Sequence, residues 1–356
     1  MCIMILRSSM FGGTEDNMDE ERKRLYEEIE RQRNSKLIVY VTGDRKGLET
    51  QIANDATDCF IEHLDSIGVV PKISLLLDTN GGNTLAGWNI VNLIRQFCDD
   101  FEVIVPLKAK STGTLMCLGA NRIIMTKQAT LGPIDPSVNT ALNPAIPNAG
   151  PDARVPVSVE AIKGYFELAK HELKIKDDGA LAQIFSDLSS KVHPLVLGEV
   201  YRAIGQIRML AEKLLKNQVT DPDKAEKIIS FLCSESGSHD YTINRREAKD
   251  NLGLNIEKPT QEFYNVIRDT YNSIKSELEL NVPYSPQLIL ANNNNRATGY
   301  NFKRVIIESL SGGTDCFVSE GIVSTVNVSL PNGTTQTGIN DKRTFEGWKH
   351  YDQCEQ

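Results

Sequence analysis

Two glycine-bearing turns stand where apolar runs give way to helical patterns, and together they hold the groups of a nucleophilic site. The first, Asp78-Thr-Asn-Gly-Gly82, follows the apolar run 73–77; the second, Lys108-Ala-Lys-Ser111-Thr-Gly113-Thr, follows the run 101–107. Short apolar runs bounded by turn residues read as buried strands. Ser111 then opens a helix, where the N–H of Thr112 and the positive end of the helix dipole can stabilise a developing oxyanion. Gly81 and Gly82 carry no Cβ, so their backbone N–H groups can approach the same point. Ser111 reads as a nucleophile of acyl transfer, with Gly81 or Gly82 and Thr112 as oxyanion donors. The competing reading is structural: a helix-capping serine and a tight Gly-Gly turn.

Such a serine needs a proton acceptor. His239, in Ser238-His-Asp-Tyr-Thr-Ile243, is one candidate, because a histidine works near neutral pH without unusual desolvation and Asp240 can orient its ring. A loop histidine bonded to backbone fits the same residues. Lys108 and Lys110 flank the nucleophile turn and suit an acidic group, although basic loop residues are usually only solvated.

The elements around these turns alternate between strand and helix. The spacing predicts a strand over 36–42, a helix over 47–64, a strand over 73–77, a helix over 84–97, a strand over 101–107, a helix over 112–119 and a strand over 122–125. That order implies right-handed crossovers and a parallel sheet. Residues 17–33 are highly charged with a narrow apolar stripe, which reads as an exposed helix able to pack on a neighbour. Four prolines in 140–156 make a loop beside the expected site, suited to binding or gating substrate. Helices follow from Ser158, over 195–215 and over 224–233, then a short helix ending at Gly253. Segments 304–310 and 321–329, with the turn Pro331-Asn-Gly333, read as a small β-hairpin appendage.

Four blocks in order carry a family resemblance: Asp78-Thr-Asn-Gly-Gly82, Lys110-Ser-Thr-Gly-Thr-Leu115, Gly119-Ala-Asn-Arg-Ile-Ile-Met125 and Leu131-Gly-Pro-Ile-Asp-Pro136. They resemble the serine dehydrogenase proteinase family, within the clan of signal peptide peptidase A, the Clp protease proteolytic subunit and the crotonases. Segments 28–38, 193–198 and 239–243 resemble the same family. The resemblance implies an α/β, ClpP/crotonase-like fold of repeated β-β-α units over 36–257. The added helices of 158–235 are an extension of the kind that builds oligomers in relatives, flanked by the N-terminal helix in 1–35 and by a C-terminal helix and β-rich appendage in 258–356. It also bears on the base. Where the Clp branch has its histidine this chain has Asp135, which then binds, orients or ends a strand. The clan's other solution is a serine–lysine dyad, for which Lys163 is the candidate, a desolvated lysine being able to take the serine proton. Against it, Glu160, Lys163, Glu167 and Lys170 form a charge ladder at helical spacing, as on a solvated face.

Composition sets the bounds. The 356 residues are 40% hydrophobic and 24% charged, ordinary for a globular protein with a full core. No apolar run approaches the roughly 18 residues of a membrane span, and the first residues are too short a run for a signal peptide. Seven cysteines without a Cys-x-x-Cys pair read as reduced thiols, hence a cytoplasmic expectation. No metal-ligand spacing or cofactor motif stands out, and a net charge of −8 argues against a nucleic-acid surface. The resulting expectation is a serine peptidase acting on peptides or unfolded polypeptide through an acyl-enzyme, without metal or cofactor, as a homo-oligomer. Its rivals are a crotonase-like enzyme acting on acyl thioesters and an inactive oligomeric scaffold of the same fold.

Overall fold

The apolar strands assemble into one sheet that helices cover on both faces. A computed structural model describes residues 20–351, apart from 135–136, 148–149, 151–152, 236–237, 239, 294–296 and 330–334. Its strands are β1 (Lys36–Thr42), β2 (Lys72–Asp78), β3 (Asp100–Val105), β4 (Lys108–Ala109), β5 (Arg122–Met125), β6 (Thr130–Leu131), β7 (Ser137–Val138), β8 (Val157–Ser158), β9 (Ile243–Asn244), β10 (Ile256–Glu257), β11 (Ala297–Ser309), β12 (Gly313–Ser329) and β13 (Thr335–Tyr351). Its helices are α1 (Glu20–Arg33), α2 (Ala56–Ile67), α3 (Thr84–Phe97), α4 (Thr112–Leu118), α5 (Val159–Glu167), α6 (Asp178–Lys191), α7 (Pro194–Leu215), α8 (Pro222–Ser230), α9 (Gln261–Glu277) and α10 (Pro286–Asn293). The main sheet runs β10-β5-β3-β2-β1-β11-β12-β13, parallel from β10 to β1 and antiparallel from β1 onward. A smaller sheet orders β4-β6-β9.

Alternation along the strands serves two cores, as expected of a parallel sheet. In β1, Ile38 and Tyr40 face the larger core, which α2, α3, α4, α7 and α8 cover, while Leu37, Val39 and Val41 face Tyr26 and Ile29 of α1 and Phe263, Ile267 and Ile274 of α9. Three expectations change here. The helix expected over 47–64 begins only at Ala56, because Ile52 is held extended: its N–H donates to the Gly81 carbonyl and its carbonyl accepts from Asn83 N–H, both at 2.8 Å. Helix α1 packs on its neighbours as its stripe allows but is less exposed than expected, since Tyr26 and Ile29 are wholly buried. The C-terminal strands are no small hairpin. β11 pairs with β1 from Val39↔Glu308 to Thr42↔Val305, so the sheet continues across the boundary expected at 257/258. The Pro331-Asn-Gly333 turn lies outside the described residues.

Charge as well as apolar area holds α1 in place. Glu308 of β11 is fully buried, and burial pushes its carboxyl up from the usual carboxylate range. Arg22 Nη2 donates to it at 2.8 Å, Thr314 Oγ1 at 2.9 Å and the Tyr26 hydroxyl completes the shell, while Arg22 also pairs with Glu277 of α9. Removing one partner of a buried pair leaves an uncompensated charge, a loss of about 3–5 kcal/mol. Arg22→Met is therefore expected to lower the free energy of denaturant unfolding by about that much; a change under about 1 kcal/mol would show that water enters the cluster.

Candidate active site

The two glycine turns are joined by backbone pairing. Thr79, just past β2, bridges Ala109 of β4 in parallel: Thr79 N–H donates to Lys108 O at 3.0 Å and Lys110 N–H to Thr79 O at 3.1 Å. The approach is closer than side chains permit. An added Cβ at Gly113 would lie 2.5 Å from Thr79 Cγ2, and one at Gly81 2.7 Å from Ser111 Cβ and 2.8 Å from Lys110 O. Gly81 and Gly82 also take positive φ angles of 108° and 148°, which side chains rarely adopt. On the far side of the first turn Ile52 bridges Gly82, and a Cβ there would lie 2.3 Å from Ile52 O.

Ser111 has φ 50° and ψ −116°, and its side chain makes no capping hydrogen bond to α4. Such a backbone costs a non-glycine residue about 1–3 kcal/mol and persists only where the surroundings impose it. The turn is the sharp strand-to-helix kind that lifts a serine hydroxyl clear of the backbone. Nearby donors divide into used and unused. Gly81 N–H donates to Thr79 Oγ1 at 3.0 Å. Gly82 is different: Ile52 bonds to Gly81 O and Asn83 N, so the polar groups of Gly82 itself point away from Ile52. Its carbonyl accepts from Thr112 Oγ1 at 2.7 Å, on the nucleophile side. Thr112 is the first residue of α4, a position whose N–H has no partner within the helix.

The block after β6 is tied to the same place. Thr114 Oγ1 lies 2.7 Å from Ala109 O and 2.8 Å from Gly132 O and accepts from Gly132 N–H at 3.0 Å, so the start of Gly132-Pro-Ile sits on the nucleophile helix. Thr79 and Thr114 position the site and drew no notice in the sequence. Hydroxyl-to-backbone bonds leave no periodicity; the only signal was their place inside the glycine motifs.

Asp78, ahead of the first turn, is 1% exposed, with Oδ2 accepting from Lys108 N–H at 3.0 Å and Oδ1 meeting Tyr271 of α9 at 3.3 Å. Burial dominates these bonds and lifts its carboxyl from 3.8 to about 7. Between those two values the folded chain keeps a proton that the unfolded chain releases, so stability falls as pH rises; the loss, on the order of 4 kcal/mol, is complete above about pH 7. Asp78→Asn removes the charge and keeps the shape. The variant is expected to match the parent near pH 4 and exceed it near pH 8 in denaturant midpoint; parallel pH curves would contradict the assignment.

Of the two proposed proton acceptors His239 lies outside the described residues, as does Asp135, the proposed orienting or binding carboxylate. Lys163 stands on α5, 40% exposed, with Nζ 3.6 Å from Glu167 one turn on, the solvated ladder of the structural reading. Lys108 is committed to an ion pair with Asp44. The 140–156 segment forms no helix among the described residues, and Asn143 ties it together by donating to Val138 O at 2.6 Å and Val155 O at 2.9 Å.

With this geometry in hand, comparison with known proteins gives a consistent picture. Residues 4–150, which include both glycine turns and Ser111, match the model of the ClpP-like SDH-type serine proteinases. The fold is ClpP-like, and that stretch contains the four blocks that carry the resemblance. Two uncharacterized proteins of Methanocaldococcus jannaschii are similar: one is 30% identical over 59% of this chain and 63% of its own length, the other 27% over 74% and 82%. The chain thus spans less than two thirds of the first relative. Among solved structures, a mutant of the 1510-N membrane-bound stomatin-specific protease is 18% identical, with a TM-score of 0.35 over 68% of this chain and 86% of that one. ClpP1 from Listeria monocytogenes is 14% identical, with a TM-score of 0.36 over 66% and 98%. Among the described residues no helix is long and apolar enough to cross a membrane.

Proposed function

From the match of residues 4–150 to ClpP-like serine proteinases, we propose that this chain is a cytoplasmic serine peptidase that cleaves peptides or unfolded polypeptide through an acyl-enzyme at Ser111. The observation that carries the reading is the backbone of Ser111: a strained φ of 50° that serves no helix cap. A scaffold has no use for that conformation, and a nucleophile does. Ser111 Oγ attacks the scissile carbonyl carbon and gives its proton to the base. The carbonyl oxygen becomes an oxyanion, accepting from the N–H groups of Gly82 and Thr112. Each such donor is worth about 10²–10³ in turnover. Gly81 supports this arrangement by its closeness to Ser111, since its own N–H is spent on Thr79. Collapse breaks the C–N bond, the base returns the proton to the departing amine, and water, deprotonated by the same base, frees Ser111.

His239 is the base in this reading and Lys163 its alternative, weakened by the exposed ion pair with Glu167. Asp135 is the orienting or binding carboxylate. A homo-oligomer belongs to the same reading, supported by the helical extension: α6 buries no residue fully, and Phe185, Leu195 and Tyr201 are 52%, 65% and 80% exposed. Enclosing the sites would keep folded proteins away from an otherwise indiscriminate nucleophile.

A serine-directed fluorophosphonate is expected to label Ser111. Ser111→Ala should abolish labelling and peptide hydrolysis while shifting unfolding by less than about 1 kcal/mol, since no cap is lost. Hydrolysis undiminished in that variant would move the nucleophile elsewhere. His239→Gln and Lys163→Met should then differ sharply, the true base costing about 10²–10⁴ in kcat; two equally small effects would eliminate both.

A further inference from the structure

The apolar run of β2 ends in an acid, and the fold turns that acid inward. Leu76 faces the core between the sheet and α9, and strand alternation puts Asp78, two residues on, on the same side. There it is 1% exposed, and acyl transfer makes no direct use of it. Its Oδ2 accepts from Lys108 N–H at 3.0 Å, while the Lys108 carbonyl accepts from Thr79 N–H, also at 3.0 Å. Two consecutive residues at the first turn thus grip both backbone polar groups of Lys108, and Thr79 O takes Lys110 N–H at 3.1 Å one step before Ser111. The Asp78 carboxyl is the first rung of this ladder and, among its rungs, the one made by an ionisable group.

The surroundings suit a neutral carboxyl. Lys108 Nζ is paired with Asp44, and the following Arg45 is taken by Glu279 and by the Val282 carbonyl, both at 2.7 Å. From α9 comes the Tyr271 hydroxyl, 3.3 Å from Oδ1. Either protonation state can use it: the neutral carboxyl donates its Oδ1 proton to Tyr271, and the ionised one accepts from it. Asp44 and Lys108 cancel in charge, so a proton lost from Asp78 leaves one net negative charge in the cluster. That charge is compensated either by drawing the Lys108 ammonium off Asp44 or by opening the ladder to water. Both disturb the chain that leads into Ser111.

We propose that Asp78 is a positioning residue of the nucleophile turn and a proton switch on it: with its proton the ladder holds Ser111 for attack, and without it turnover falls. The proposal rests on Ser111 being the nucleophile. Besides loosening the turn, the charge acts through space. Lys108 to Ser111 is three residues of extended chain, about 10 Å, and a buried negative charge at that range opposes the oxyanion by about tenfold in rate. The change falls near neutrality, since burial lifts the Asp78 carboxyl to about 7. The proton is held below that pH and released above it, so this group lowers activity as pH rises, whereas the general base gains competence as it loses its own proton.

The test is the rate at which a fluorophosphonate labels Ser111 in the full chain between about pH 5.5 and about pH 9. Dividing the Asp78→Asn rate by the parent rate at each pH cancels the titration of the base, whichever residue that is. The ratio should rise about tenfold through a midpoint near pH 7. Tyr271→Phe deletes a donor that favours the ionised carboxyl, so the alkaline loss should move to higher pH; Asp44→Asn removes a like charge and frees Lys108, so the loss should move to lower pH. A merely structural role gives no such opposite displacements, and they decide the matter if Asp78→Asn fails to fold. A ratio that is flat or falls with pH while Ser111 still labels, or an alkaline loss unmoved in both other variants, would overturn the switch and leave the peptidase reading intact. No labelling of Ser111 at any pH would overturn both.

Discussion

Everything at the site depends on backbone segments lying closer together than side chains allow. Gly81 against Ser111, Gly82 against Ile52 and Gly113 against Thr79 are three contacts at which a Cβ would sit between 2.3 and 2.7 Å from its neighbour. Each glycine belongs to a motif, and each contact sets the distance from one N–H or one hydroxyl to the next. The parallel bridge between Thr79 and Ala109 supplies the rigidity that holds Ser111 at positive φ. Without that pairing, the strained turn would relax toward an ordinary helix start, with Ser111 capping α4.

A second constraint is electrostatic. Three carboxylates, Asp78, Glu102 and Glu308, lie in strands otherwise made of apolar residues, and all are at most 1% exposed. Each survives burial by a different route. Asp78 holds its proton up to about pH 7. Glu102 is held below the usual carboxylate range, against its burial, by the fork of Arg33, by Lys72 and by Ser74. Glu308 depends on Arg22, Tyr26 and Thr314. Two of the three shells draw their arginine from α1, which is why a helix with so narrow an apolar stripe docks firmly.

The parts legible in the sequence were those with local rules. Strands β1 and β5 and helix α3 fall on their expected residues, because apolar alternation and helical spacing are written within each segment. The glycine turns were legible as turns. What required the fold was any property set by a distant segment: the extended Ile52 that delays α2, the burial of α1, and the pairing of β11 with β1 across more than 250 residues of chain, as from Val39 to Glu308. Helix α6 was passed over because its apolar positions bury nothing fully and leave no clean stripe. That the Gly81 N–H is already bonded to Thr79 likewise required the fold, a side-chain contact that no spacing encodes.

That distant pairing bears directly on the chemistry. Gly82 is backed by Ile52, and the segment leading to Ile52 is gripped by Arg304 of β11, which donates to Leu48 O at 3.0 Å and Glu49 O at 2.7 Å. Thr50 joins the same anchor, its hydroxyl 2.9 Å from Gly43 O and 3.2 Å from Arg304 O. Past Ile52 the chain enters α2, whose His63 is fastened to Ser309 at the end of β11. The segment that backs the first glycine turn is thus held at both ends by a strand from the C-terminal part of the chain. Residues that a linear reading sets apart as an appendage are a wall of the site, and the orientation of the Gly82 N–H rests on them as much as on its own motif.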